Sequence, residues 1–153
     1  MKTPGKNIQY SDRTIQFYIL QSNLKSLDVL ESVLKKMKRK LDLSRQIYCS
    51  IWVSVNEAIS NAIIHGNKFN IDKKVRLMIQ FKQKHWICFT IKDEGCGFDH
   101  KNIHHPKKVE HETKAYGSGV SFMKKMADAI LYSKKGTSVD LYFNLSDKQD
   151  HFT

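Results

Sequence analysis

The chain has 153 residues, 27% of them Asp, Glu, Lys or Arg, and a formal net charge of +11. That length suits one domain around a single core. The polar first ten residues argue against a secretory leader, and no apolar run approaches the roughly 18 residues that a membrane span requires. Cys49, Cys88 and Cys96 are odd in number and lack metal-ligand spacing, so reduced thiols in a cytoplasmic protein are expected. The positive excess calls for an acidic partner, whether nucleotide, acidic protein surface or nucleic acid, and does not choose among them.

Ile15, Phe17 and Ile19 alternate as in a strand with one buried face, and Leu27, Leu30, Val33, Leu34 and Met37 then follow helical spacing. Lys35, Lys36, Lys38, Arg39 and Lys40 cluster at the end of that helix. A basic C-terminus complements the helix dipole, so a solvated helix end explains the cluster better than a binding patch does.

From Gln46 to Asn67 the chain runs 22 residues with a single Asp, Glu, Lys or Arg, Glu57, where the overall composition would give about six. Ile47, Ile51, Val55, Ala58 and Ala62 form one apolar helical stripe, with Trp52, Ile59 and Ile63 beside it. Ser50, Ser54, Glu57 and Asn61 share a third strip of small and polar residues. Glu57 and Asn61 lie one turn apart on one face, a carboxylate beside an amide that would suit a metal ion and a phosphate. The plainer reading is a buried helix whose Glu pairs with a base elsewhere. Gly66 is placed to cap the helix C-terminus.

Val75, Leu77, Ile79 and Phe81 alternate with polar residues, and Ile87, Phe89 and Ile91 repeat the pattern after a short turn, which predicts an antiparallel hairpin. Asp93 continues the buried face of the second strand and opens the run Asp93–Glu94–Gly95–Cys96–Gly97–Phe98. An acid at the end of an apolar strand face can accept a hydrogen bond from an amine, and the two glycines allow a flat ligand to come close. A strand ending in such a turn is also common without any ligand. Asp99 to Tyr116 lacks periodicity, whereas Gly117–Ser118–Gly119 opens a predicted helix through Val120, Met123, Ala127 and Ile130. A glycine-rich helix N-terminus is a natural seat for phosphate. Strands around Leu131 and around Val139, Leu141 and Phe143 follow, joined through Lys134, Lys135 and Gly136, with Thr137 entering the last. The expected fold is a two-layer α+β sandwich with helices on one face of a mainly antiparallel sheet.

The order E-x-x-x-N, D-x-G-x-G-F, G-x-G, G-T resembles the ATP-binding domain shared by DNA gyrase, a heat-shock chaperone, sensor histidine kinases and a mismatch-repair ATPase, the GHKL superfamily with its histidine kinase-like, Bergerat-type fold. Asn56 to Gly66, Asp93 to Asp99 and Gly117 to Met123 are similar to the corresponding boxes of the bacterial anti-sigma-factor serine/threonine kinases. The likeness extends from about Ile15 to Leu145. It implies Asn61 as a Mg²⁺ ligand and Glu57 as the general base. Asp93 and Thr137 would read adenine, Gly95 and Gly97 would pack against it, and Gly117, Ser118, Gly119 and Val120 would seat the phosphates of ATP. Residues 99–116 would form the nucleotide lid, which contains Lys101, Lys107, Lys108 and Lys114. Relatives often carry arginine just before the second glycine box, and here Lys114 stands nearby. His100, His104, His105 and His111 in the same stretch admit a zinc site, although no cysteine pattern supports one.

The resemblance thus implies an ATP·Mg²⁺-dependent serine/threonine kinase in the cytoplasm. It would sequester a sigma factor and phosphorylate an antagonist protein, and a homodimer is compatible with it. The alternative is a nucleotide-sensing module that binds a protein partner without phosphoryl transfer, in which Glu57 would have no task. A sensor histidine kinase is disfavoured because the first histidine, His65, already lies inside the Glu57 helix. Direct nucleic-acid binding is weakest, since the aromatic residues fall on apolar faces rather than forming a stacking platform. No membrane partner is expected.

Overall fold

The structure, a computed structural model, describes residues 15–83, 85–97 and 117–146, with 117–120 as backbone only. In chain order the elements are β1 (Ile15–Gln21), α1 (Ser26–Leu41), α2 (Arg45–Asn61), a π-helical turn (Ala62–Gly66), β2 (Lys74–Lys82), β3 (Trp86–Lys92), α3 (Gly117–Met126), β4 (Ala129–Tyr132) and β5 (Ser138–Asn144). The five strands form one sheet in the order β1-β2-β3-β5-β4, and every neighbouring pair is antiparallel. The expected α+β sandwich with a helix layer on an antiparallel sheet is what the chain forms.

Period-2 patterning builds the sheet half of the core. Leu77, Ile91 and Val139 stand opposite one another across β2, β3 and β5, as do Ile79, Phe89 and Leu141. All of these are buried. The rings of Phe89 and Phe143 meet edge to face, their centroids 5.9 Å apart, the arrangement that aromatic quadrupoles favour.

Helix α2 supplies the other half, lying against β3 and β5 with α1 and α3 packed against it. Ser44 caps it, its hydroxyl accepting from Ile47 N at 3.2 Å. The first apolar stripe, from Ile47 to Ala62, is buried throughout, and Ile59 and Ile63 join it. Trp52, expected beside them, is instead 38% exposed. By length and composition Arg45–Gly66 could cross a membrane, which the sequence reading did not anticipate. Its apolar residues are accounted for here by the core that they fill.

Two further expectations are corrected. Ile15, Phe17 and Ile19 point away from the core, the last two being 70% and 71% exposed. The register of the edge strand β1 decides this: Tyr18 lies opposite Leu77 and Leu20 opposite Val75, so the even-numbered residues face the helices. Alternation gave the period but not the side. The helix expected to reach Ile130 stops at Met126, because Ala129 and Ile130 pair with Tyr142 and Leu141 in β4. An apolar residue at helical spacing also satisfies a strand when the period is sampled only once or twice.

Candidate nucleotide site

The C-terminal end of α2 meets the turn that follows β3. Instead of finishing on a left-handed glycine, the helix widens into the π turn, and Asn67 N donates to Ala62 O at 2.7 Å. Gly66 is not a left-handed cap, contrary to expectation; the left-handed residues are Lys68 and Phe69, with φ of 53° and 55°. Gly66 is required for a different reason. A Cβ there would come within 2.6 Å and 2.8 Å of the carboxylate oxygens of Asp93 and would also strike its Cγ.

Asp93 itself is half-buried. Its Oδ1 accepts from Gly95 N at 2.8 Å, and its own N–H donates to Thr137 O at 2.9 Å, so the β3–β5 ladder continues one residue past the strand. Burial pushes its carboxyl above the ordinary aspartate range, while the Gly95 hydrogen bond and the Lys73 charge partly offset that shift.

The glycines of the turn are fixed by what surrounds them. A side chain at Gly95 would collide with the carbonyl of Gly66, and one at Gly97 with the carbonyl of Lys135. Gly97 also has φ +85°, and its missing Cβ would lie 3.4 Å from the Thr137 methyl. Gly66, Asp93, Gly95, Gly97 and Thr137, spread over 72 positions of sequence, therefore converge on one spot.

Along α2 the expected polar strip divides. Ser50 and Ser54 are buried, and Ser50 Oγ lies 4.0 Å from Met126 Sδ of α3. Ser54 Oγ is enclosed with no hydrogen-bond partner among the described residues. Glu57 and Asn61 emerge half-buried. Among the described residues neither side chain is held in a hydrogen bond or ion pair, so the plainer reading of a Glu57 paired with a base finds no partner there. Burial lowers the pKa of His65, and the charge of Glu57 opposes that shift, which puts the two side chains within electrostatic reach.

The sequence reading overlooked Asn67. It is 1% exposed; its Nδ2 donates to Ser22 Oγ at 2.8 Å and Lys74 O at 3.0 Å, and its Oδ1 accepts from Glu94 N at 2.8 Å. A usable signal was present: a polar residue directly after the glycine that ends an apolar helix.

Helix α3 begins at Gly117 as expected, although the side chains of Ser118 and Val120 lie outside the described residues. So do Lys114, the lid expected over 99–116 and its four histidines. Among the described residues no group of three or more His, Cys, Asp or Glu side chains could hold a metal ion.

Comparison with known proteins gives consistent results. Residues 20–143 match the family described as histidine kinase-like ATPase domain. The anti-sigma F factor of Bacillus velezensis is 31% identical over 112 residues, 70% of this chain and 76% of that protein. The anti-sigma F factor of Bacillus subtilis is 30% identical over the same extent. Among solved structures, the RsbU and RsbW domains of a Mycobacterium tuberculosis protein superpose with a TM-score of 0.61 at 12% identity. That match covers 87% of this chain and one third (33%) of the longer one. The histidine kinase domain of a blue-light activated kinase from Erythrobacter litoralis superposes with a TM-score of 0.50 at 15% identity, over 80% of this chain and 61% of that one. At such identities the structural matches speak for the fold.

Proposed function

The chain belongs to the histidine kinase-like ATPase domain family, as a relative of the anti-sigma F factors, and from that premise we propose that it is an ATP-binding anti-sigma factor that phosphorylates an antagonist protein on serine or threonine. It would act in the cytoplasm, as one domain, with a sigma factor as its second partner. The observation that carries the proposal is the meeting of Asp93, Gly66, Gly95 and Thr137 beside the end of a helix that also presents Glu57 and Asn61.

The site has the features that adenine would need. Asp93 offers a partly desolvated carboxylate oxygen to the exocyclic amine, and the glycines let the main chain of Gly66 and Lys135 close up around the turn that carries it. Asn61 has an amide oxygen with no partner among the described residues, and hard cations such as Mg²⁺ take oxygen ligands. When bound, Mg²⁺ would neutralise phosphate charge. Glu57, one turn away, would accept the proton of the substrate hydroxyl. Gly117, Ser118, Gly119 and Val120 at the start of α3, with Lys114 before them, are the proposed phosphate seat.

Incubation of the purified chain with labelled ATP, Mg²⁺ and candidate antagonist proteins tests this. Transfer of label to a serine or threonine of one antagonist is the expected result. An antagonist that is retained but never labelled would favour a nucleotide-sensing binding module instead.

A further inference from the structure

The geometry points to Asn67 as a positioning residue for nucleotide recognition, holding the turn that carries Asp93 where its carboxylate meets the 6-amino group of a purine; this rests on the reading of Asp93 proposed above. Asn67 directly follows Gly66. Two consecutive residues therefore form a socket: Gly66 receives the side chain of Asp93, and Asn67 ties down the main chain of the next residue, Glu94.

Only an amide can do this. Lys74 O must meet a donor and Glu94 N must meet an acceptor, which fixes the orientation of the Asn67 side chain. Ser22, a residue 1% exposed, donates through Oγ to Lys73 O at 2.7 Å and so accepts from Asn67. The result is one directed chain of hydrogen bonds, from Glu94 N–H through Asn67 and Ser22 to Lys73 O. Each donor in such a chain is polarised by the bond it accepts. It links the turn after β3 to the chain following β1 and to the residue preceding β2.

Glu94 has a second anchorage. Its side chain accepts from Lys74 N at 2.6 Å and pairs with Arg76 at 3.2 Å. The Arg76 and Glu94 side chains are 52% and 33% exposed, so solvent screens that pair and leaves it weak. The enclosed amide is the contact that water cannot replace. Release of Glu94 N would let the turn swing, and Asp93 would lose the direction of its hydrogen bond before it lost its charge.

Selectivity is therefore the property to measure. The probes are ATP and purine riboside 5′-triphosphate, which lacks the 6-amine and is otherwise the same size. Wild type is expected to prefer ATP. Asn67→Ala should weaken ATP by about tenfold, the scale of one directed hydrogen bond, and leave the analogue nearly unchanged, so that the ratio collapses. On an Asp93→Asn background the same change should add little, because coupled residues are non-additive. Ser22→Ala keeps the acceptor for Glu94 N and loosens only its support. It should erode the ratio less, and it answers the question if Asn67→Ala does not fold. Equal weakening of both nucleotides, or full additivity with Asp93→Asn, would overturn the inference while leaving Asp93 as the purine acceptor. A wild type with no preference for ATP would overturn both.

Discussion

Gly66 and Asp93 occupy each other's space: the carboxylate fills the volume that any side chain at position 66 would need. One residue ends the long helix and the other follows the central strand β3. Their contact is where the helix layer meets the sheet, and glycine stands at 66 to make room for an acid rather than to turn the chain.

Gly66→Ala should therefore act on both stability and nucleotide binding. Forcing a methyl group against Asp93 is an overpacking change, of the kind that costs about 1–3 kcal/mol. Asp93 can relieve it only by moving. Chemical denaturation should register the loss of stability, and nucleotide titration a loss of ATP affinity. A variant that melts and binds as wild type does would refute the contact.

Asp93→Asn separates binding from folding. Burial raises the Asp93 carboxyl in the folded chain. Its ionised form thus costs stability above the folded pKa, and the cost shrinks as the pH falls from that value towards the ordinary aspartate range, below which it is gone. At neutral pH the apo variant should melt at or above the wild-type temperature, with the difference vanishing in acid. ATP should no longer raise its melting point. In wild type, ATP affinity should start to fall at a higher pH than an ordinary aspartate would dictate. Melting curves with and without ATP across pH check all three expectations.

Glu57→Ala and Asn61→Ala should part company. The first should retain ATP and lose phosphoryl transfer by about two or more orders of magnitude, the usual range for a general base. The second should lose Mg²⁺-dependent binding itself. Parallel binding and transfer assays read the split; equal loss of binding in both would assign Glu57 a structural task.

The orientation of β1 can be tested by stability alone. Phe17→Ser and Ile19→Ser alter exposed positions and should each stay within about 0.5 kcal/mol of wild type. Leu20→Ala, one residue on, empties a core site and should cost about 2–5 kcal/mol. Urea denaturation of the three variants decides which face is inward.

Much of this was legible in the residues. Strict alternation in β2 and β3 and the charge-free stretch around Glu57 announced the hairpin and the central helix, since a long pattern samples its period several times. The glycines of the D-x-G-x-G run were also legible as a motif, whereas the carbonyls that require them, those of Gly66 and Lys135, lie far off in sequence. The side of β1 was not, since Tyr18 and Leu20 are as able to be buried as Phe17 and Ile19 until β2 sets the register. The end of α3 was hidden by Ile130, which suits either period. Asn67 escaped because its partners, Ser22, Lys74 and Glu94, are scattered along the chain, and long-range hydrogen bonds leave no periodic trace.

One consequence of the strand order concerns variation among related chains. Since β3 pairs directly with β5, Asp93 and Thr137 are joined across adjacent strands, and the chain returns to Thr137 through α3 and through β4, which pairs with β5 in the same sheet. Neither the β3–β5 nor the β4–β5 ladder fixes the number of residues between Gly97 and α3. Insertions or deletions there can remodel how a nucleotide is enclosed, or which protein is touched, without shifting the residues that would recognise the base.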